Sequence, residues 1–460
     1  MYNVTIDYKN SLKSDEQTYD VYLVCKDGVR IEGSGKLSSI SYNDAHFDEK
    51  IIGNFIKREF KLSVLDDNLN LTDKEVDIFI GLKVKGIFEY VPFGTFRIIR
   101  SAENDKANEE TTITAEDLTY KFNKKVNVTL LNNATTIFEL YRIICTEVAI
   151  ECGNASFTNG TYSLKNIYYD PSSTYRDIIK QIAEVSVANA KIGRDNKLYI
   201  KETNMDLVKK VEKNEQFEQK KSDLKFGPIN AVVASRIQAD DGSTTEDTYA
   251  RNEESIVLNG INEVKIVAND LIENNRQIAV DNMLTKINDF TYTPTELEIV
   301  LDPALDAGDY IEIADVKTNT TYKTVVQNLS FDLATGLMKI NSSAKTKTQT
   351  DYASATNKDK RKITELKVNK LDGKITGVVE EQTILKNEVN DTVKTIKSVK
   401  AELLLDIDGL TNTFAKSGGS NLLENSSGQF GNKKWYDVVT SETAKIQAFT
   451  DTAIKNTFVA

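Results

Sequence analysis

Val21-Tyr22-Leu23-Val24-Cys25-Lys26-Asp27-Gly28-Val29-Arg30-Ile31 sets the reading of the N-terminal part of the chain. Tyr22, Val24 and Lys26 alternate with Val21, Leu23 and Cys25, the period of two that a half-buried strand requires. Asp27-Gly28 supplies a hairpin turn, and Val29 and Ile31 begin the return strand. The same alternation recurs downstream at Phe60, Leu62 and Val64, then at Ile78, Ile80, Leu82 and Val84. Gly86 and Pro92 punctuate it, and Phe96, Ile98, Ile113 and Ala115 continue it. Residues 1–125 are therefore expected to form an antiparallel β domain with one buried face.

The period changes in residues 126–221, which read as an α+β module. Thr136 with Glu139 forms a capping-box pattern ahead of Ile137, Leu140, Tyr141, Ile144 and Val148, with Gly153 as the stop. A second helix starts at Thr174 with Asp177 and presents Ile178, Ile182 and Val185. A hairpin follows, Ala190 to Ile192 and Leu198 to Ile200, around Gly193-Arg194-Asp195-Asn196. Residues 222–345 return to β. Strands are expected at Val232–Ile237, Ile256–Leu258, Val264–Ile266, Leu297–Leu301, Tyr310–Ile313 and Tyr322–Val326, with one helix, Leu271 to Ile287, capped by Asn269.

Residues 346–361 are a polar linker rich in Lys and Thr. Residues 362–415 carry a heptad pattern: Val368, Leu371, Ile375, Val378, Gln382, Leu385, Val389, Thr392, Ile396, Val399, Leu403, Asp406 and Leu410 occupy successive a and d positions. Ten of these thirteen are aliphatic, so a lone helix would expose an apolar stripe. β-Branched residues at both a and d favour three strands, and Gln382 and Thr392 in the seam would fix register. The other reading is a helix hairpin inside one domain, but no central turn signal is present. Ser417-Gly418-Gly419-Ser420 breaks the helix, and residues 416–460 read as the start of an incomplete C-terminal module.

Composition narrows the function. The chain has 460 residues, enough for several cores, and 28% of them are charged. No run of about 18 apolar residues exists, so no membrane span is expected, and the N-terminus shows no signal core. The formal net charge is −11, which becomes 3 × −11 = −33 in three copies, and such an assembly repels a nucleic-acid backbone.

Catalytic chemistry is sparsely provided. The single histidine, His46, lies in Asp44-Ala45-His46-Phe47-Asp48. Asp44, His46 and Asp48 could ligate a metal, but zinc sites recruit more His or Cys, so a solvated inter-strand loop is the plainer reading. No nucleophile-elbow, His-Glu-x-x-His or P-loop pattern occurs. Cys145 and Cys152 are seven apart at the end of a helix; the spacing is not Cys-x-x-Cys, so core packing is the plainer reading and a redox pair the alternative. Asp240, Asp241, Glu246 and Asp247 could hold a hard cation, or form a solvated acidic loop without the ligand ladder of a calcium site. Tyr162, Tyr168, Tyr169 and Tyr175 read either as a sugar-stacking patch or as core and strand-edge rings. No catalytic residue, cofactor or metal site is assigned.

Four stretches carry a family likeness. Tyr90-Val91-Pro92-Phe93-Gly94-Thr95-Phe96-Arg97-Ile98 is followed by Thr112-Ile113-Thr114-Ala115-Glu116-Asp117-Leu118. Thr174 to Glu184 then precedes Asn196-Lys197-Leu198-Tyr199-Ile200. Phe290 to Pro294, Asp302-Pro303 and Ala307-Gly308-Asp309-Tyr310-Ile311 come last. In order and spacing these resemble the tail-tip or baseplate hub proteins of phages and phage-like bacteriocins of Gram-positive bacteria, the tail-associated lysin or prophage tail endopeptidase-like group. The resemblance covers residues 1–345. It implies a mainly β fold with α+β insertions: two barrel-like β domains and an α/β module, followed by a parallel trimeric coiled coil. It further implies a homotrimer under the tail tube that closes the channel, with distal tail or tube proteins and the tape-measure protein as partners. The place implied is the virion tail tip, after synthesis in the bacterial cytoplasm. Ser420 to Trp435 resembles the opening of a carbohydrate-binding sandwich, which implies host cell-wall glycan as a further partner. No hydrolase domain is visible, so the endopeptidase activity is not carried over. A wall-degrading lysin and a receptor-binding fibre base remain the alternatives.

Overall fold

The Tyr22-to-Ile31 hairpin is present as expected. Strands Tyr19–Cys25 and Arg30–Glu32 pair antiparallel with Val24 opposite Arg30. The Cys25 amide donates to the Val29 carbonyl at 2.8 Å, and Gly28 takes the positive φ of +86° that the turn requires. A computed structural model describes residues 1–343, with breaks at 15, 34–36, 49, 65–70, 72, 106–109, 165–171, 238–244, 268, 273–274 and 319. The linker, the heptad seam from Val368 to Leu410 and the C-terminal module lie outside the described residues.

One eleven-stranded sheet dominates. Its order is Gln216–Lys221, Thr295–Val300, Leu337–Ser342, Asn328–Asp332, Leu37–Ala45, Glu59–Val64, Glu110–Asp117, Ile87–Asp105, Glu75–Val84, Tyr19–Cys25 and Arg30–Glu32. This corrects the expectation of two barrel-like domains: among the described residues no sheet closes on itself. The N-terminal strands and the strands after residue 290 are edge to edge in the same sheet. The seam is the antiparallel pairing of Leu37–Ala45 with Asn328–Asp332, where Tyr42 faces Phe331. Aromatic rings weld that seam. The Tyr42 ring packs on Phe60 at 4.5 Å and on Phe93 and Phe331, each at 5.1 Å between centroids.

The buried side chains fall into two cores. One lies on the large sheet and includes Leu23, Tyr42, Phe60, Ile78 and Phe96 together with Ile299, Phe331 and Met338. The other joins the helices Ile137–Glu147 and Tyr175–Val185 and the hairpin Ala188–Ile192 and Leu198–Glu202 to a second unit. That unit is the helix Arg276–Ile287 and a three-stranded sheet with Ala231–Ile237 in the middle. The helices start where the caps predict. Thr136 accepts from the Glu139 amide at 3.1 Å, and Thr174 with Asp177 makes a complete capping box.

Four local expectations are corrected. Ile256–Leu258 is not a strand but part of the helix Glu253–Asn259. The Asn252 side chain accepts from the Ser255 amide at 3.1 Å, Glu253 and Glu254 stand in the first turn, and Gly260 ends it. Asn269 caps only the short turn Asp270–Ile272; Asn275 caps the helix Arg276–Ile287. Gly153 does not close the first helix, which stops at Glu147 and turns at Ala149 with φ +55°. The strands Leu207–Val211, Gln216–Lys221, Asn328–Asp332 and Leu337–Ser342 were not anticipated.

Because the sheet is continuous, Tyr42→Ala is expected to destabilise by about 3–5 kcal/mol. It should also speed amide exchange on both sides of the seam, in Glu59–Val64 and in Leu337–Ser342. Acceleration on one side alone would show that the two sets of strands open independently.

Candidate functional site

The hairpin Ala188–Ile192 and Leu198–Glu202 is apolar on one side and carries four cations; Lys197 pairs with Glu151 at 3.0 Å, which leaves Lys191, Arg194 and Lys201. All three reach into the junction between the helical module and the large sheet. The Lys191 ammonium donates to Asp44 Oδ2 at 2.5 Å and to the Ala307 carbonyl at 3.2 Å. The Arg194 guanidinium donates to Asp306 Oδ1 at 3.0 Å and to the carbonyls of Pro92 at 3.2 Å and Leu305 at 3.0 Å. It also lies over the Phe93 ring, 4.4 Å from the centroid. Lys201 donates to Asp309 Oδ1 at 3.2 Å and to Ala307.

A fourth cation completes the junction. Arg58 is fully buried. Its Nε donates to Asp117 Oδ2 at 3.1 Å, Nη1 to the Phe93 carbonyl at 3.0 Å and Nη2 to the Gly193 carbonyl at 3.3 Å. Asp117 also accepts from the Thr119 amide at 3.2 Å, so one carboxylate closes a sheet strand and caps the turn that follows. Two glycines make room. Gly94 has φ +89°, and a Cβ there would stand 2.9 Å from Asn196 Oδ1 and 3.1 Å from the Arg194 carbonyl oxygen. The freed space lets the Thr95 amide donate to Asn196 Oδ1 at 2.7 Å. Gly308 has φ +88°, and a Cβ there would stand 2.7 Å from the His46 ring.

The charges are tuned by one another. Burial works against the Asp306 carboxylate, but Arg194 first, then Lys191, Lys201 and the Met1 amino group overcome it and hold its pKa well below the usual carboxylate range. Burial also opposes the Arg58 charge, yet Tyr42, Asp117 and Asp44 keep its pKa above the ordinary arginine value. His46 goes the other way. Burial foremost, then Lys201 and Lys191, push its pKa well below the ordinary value.

This placement revises the reading of the Asp44-to-Asp48 loop. It is not a solvated loop, because Asp44 and His46 are 4% and 5% exposed. Nor do its residues gather as ligands: Asp44 is held by Lys191, and His46 is pressed against Gly308. Among the described residues no group of three or more His, Cys, Asp or Glu is placed to hold a metal. A neutral imidazole shut away from solvent is poorly placed to exchange protons with a substrate.

The remaining candidates disperse. The Tyr175 hydroxyl donates to Glu147 at 3.3 Å from a buried ring, and Tyr162 donates to the Ile272 carbonyl at 2.9 Å. Tyr168 and Tyr169 lie outside the described residues. The expected acidic loop is corrected at its end, where Asp247 stands in the strand Thr245–Arg251 opposite Ser235 and accepts from the Tyr249 hydroxyl at 2.9 Å, while Asp240 and Asp241 lie outside the described residues. Cys145 is buried in the helical core, and Cys152 packs against that core from a partly exposed position. Arg58, Lys191, Arg194, Lys201 and Asp306 were not anticipated. The available signal was a charge set among apolar strand residues, as with Lys191 between Ala190 and Ile192.

The same junction lines a cavity of about 410 Å³, walled by Arg58, Lys191, Arg194, Tyr199, Lys201 and Asp306. A groove of about 660 Å³ lies elsewhere, over the polar face of the large sheet, lined by Asn43, Glu59, Glu298, Asn328, Ser330 and Lys339 among others.

No family model and no curated protein matches the chain. Solved structures do. The chain is similar in structure to prophage tail proteins. The 43 kDa tail protein of prophage MuSo2 from Shewanella oneidensis aligns at 10% identity over 70% of this chain and 96% of that one, with a TM-score of 0.43. A tail protein from Neisseria meningitidis MC58 aligns at 9% identity over 70% and 95%, with a TM-score of 0.47. Prophage tail protein gp18 from Listeria monocytogenes EGD-e aligns at 10% identity over 71% and 95%, with a TM-score of 0.44. At such scores and identities the likeness carries no conclusion about function.

Two outcomes test the junction. Arg58→Ala leaves Asp117 buried and unpaired, and is expected to cost about 3–5 kcal/mol in urea unfolding. The second follows from the low pKa of His46. The unfolded chain takes up a proton below about pH 6.5 while the folded chain does not, so stability is full above that pH and falls as the pH drops. Between about pH 6.5 and 5 the slope approaches roughly 1.4 kcal/mol per unit. His46→Gln should flatten that window, and an unchanged slope would show that His46 is protonated in the fold.

Proposed function

We propose that the chain is a structural subunit of a phage tail or phage-like particle. In this reading it acts as a tail-tip or baseplate hub that assembles as a homotrimer beneath the tail tube, closes the channel and projects C-terminal modules towards the host surface. The observation that carries the proposal is the convergence of the segments with the hub-like sequence pattern. Phe93 and Gly94 come from the first, Asp117 from the second, Asn196 from the third, and Ala307, Gly308 and Asp309 from the last. All of them meet at one buried ionic junction. Residues distant in sequence and similar to one family's pattern thus share a single structural task, which supports a scaffold.

The chemistry of the junction supports the same reading over an enzyme. Its cations are engaged by carboxylates and carbonyls of the chain itself, which suits a rigid frame. The net charge suits a conduit, since −33 over three copies disfavours adhesion of a passing nucleic acid. The proposed partners are a further two copies of the chain, the distal tail or tube proteins and the tape-measure protein, with cell-wall glycan at residues 416–460.

Light scattering at micromolar concentration is expected to return three times 51.5 kDa, or 154.5 kDa. A monomer would overturn the hub assignment. Zymography on Gram-positive cell walls is expected to show no lysis; a lytic band abolished by His46→Ala would establish the lysin reading in its place.

A further inference from the structure

Lys209 stands in Leu207–Val211, an edge strand of a small three-stranded sheet, with its side chain only 10% exposed. Two carboxylates meet its ammonium. Asp302 Oδ2 lies at 2.8 Å and Glu215 Oε1 at 3.3 Å, on side chains that are 0% and 4% exposed. A backbone amide aims each carboxylate through its other oxygen. The Ala304 amide donates to Asp302 Oδ1 at 3.0 Å, and the Glu212 amide donates to Glu215 Oε2 at 2.8 Å. The chain around these groups is apolar and buried: Val211, Leu301, Ala304 and Leu305 all belong to the core of the large sheet.

A structural ion pair needs one carboxylate for its ammonium. This trio holds two, and so keeps an excess negative charge away from water, a cost that pairing alone does not explain. The same trio contains what amide formation requires. Lys209 supplies an amine, Asp302 a carboxyl carbon, Glu215 an acid–base group, and Ala304 a backbone N–H for the developing oxyanion. The fold holds amine and carboxyl in contact, which replaces an encounter in solution. We propose that Lys209 and Asp302 join in an intramolecular isopeptide bond, a modification site that ties the edge strand Leu207–Val211 to the segment after Thr295–Val300, with Glu215 carrying the protons.

The step balances without a cofactor or an oxidant. The Lys209 ammonium passes one proton to Glu215 Oε1, and the freed Nζ lone pair attacks Asp302 Cγ. Negative charge collects on Oδ1, where the Ala304 amide already donates. Glu215 delivers its proton to Oδ2, takes a second from Nζ and delivers that one as well. The Cγ–Oδ2 bond breaks and one water leaves. An ammonium and a carboxylate become an amide, and Glu215 ends as the carboxylate it was. Burial opposes the Lys209 charge, but Asp302 and then Glu215 hold its pKa above the ordinary lysine value. The free amine is therefore scarce, and the bond forms slowly, after folding has assembled the trio.

The full chain is purified folded, held for several days and weighed intact. It is expected to be about 18 Da lighter than its sequence mass, the loss of one water. Trypsin should then release Glu202–Lys210 joined to Ile287–Lys317, uncut after Lys209 because its amine is acylated. Glu215→Gln and Lys209→Met should each give the full mass of their own sequence and no joined peptide, with circular dichroism reporting whether the fold is kept. A folded wild-type chain at its full sequence mass would overturn the proposal by itself. So would a loss of water mapped to other peptides, or one that survives in Lys209→Met or in Glu215→Gln.

Discussion

The rest of the structure depends on the need of three buried cations, and a half-buried fourth, for partners that their own segments lack. Arg58, Lys191 and Arg194 leave bulk water when the hairpin and the sheet close together, and Lys201 does so in part. Their carboxylates come from Asp44, Asp117, Asp306 and Asp309, three of them more than a hundred residues away in sequence. A buried charge without a partner costs several kcal/mol, whereas a paired one with its remaining hydrogen bonds made is close to neutral. The network therefore adds little net stability by being complete, and a great deal of specificity by being intolerant of any other arrangement.

That intolerance reaches the backbone. Gly94 and Gly308 hold positive φ where a Cβ would collide with the hairpin turn and with His46. The hairpin turn thus presses the sheet at Gly94, and the guanidinium groups of Arg58 and Arg194 bond to the carbonyls of Phe93, Gly193, Pro92 and Leu305 around it. The two apolar cores meet at this polar seam. Aromatic packing around Tyr42 joins the strands within the sheet, and charge pairing joins the sheet to the helical module. A frame built this way suits a part that transmits load between neighbours, as the proposed tail-tip role requires.

Much of this was legible from local pattern. The Val21-to-Ile31 hairpin, the caps at Thr136 and Thr174, and the strands at Val232, Val264, Tyr310 and Tyr322 follow from alternation and turn chemistry, which act within a few residues. Ile256–Leu258 misled because three adjacent aliphatic residues fit no period, and the Asn252 cap with its two glutamates decided in favour of helix. The barrels failed for a different reason. Alternation says that a strand has a buried face but not which edge it will find, so the pairing of Leu37–Ala45 with Asn328–Asp332 could not be read from either segment.

The sequence by itself determined the class of fold, the positions of most helices and strands, the acidic balance and the scarcity of catalytic groups. These depend on residue type and near spacing. Only the tertiary structure decided that one sheet runs through both β regions, that His46 is neutral and enclosed, and that Asp44 answers Lys191. The physical reason is distance along the chain. A charged side chain on a strand looks the same in sequence whether it faces water or a carboxylate more than a hundred residues away, and only folding brings the second group to it.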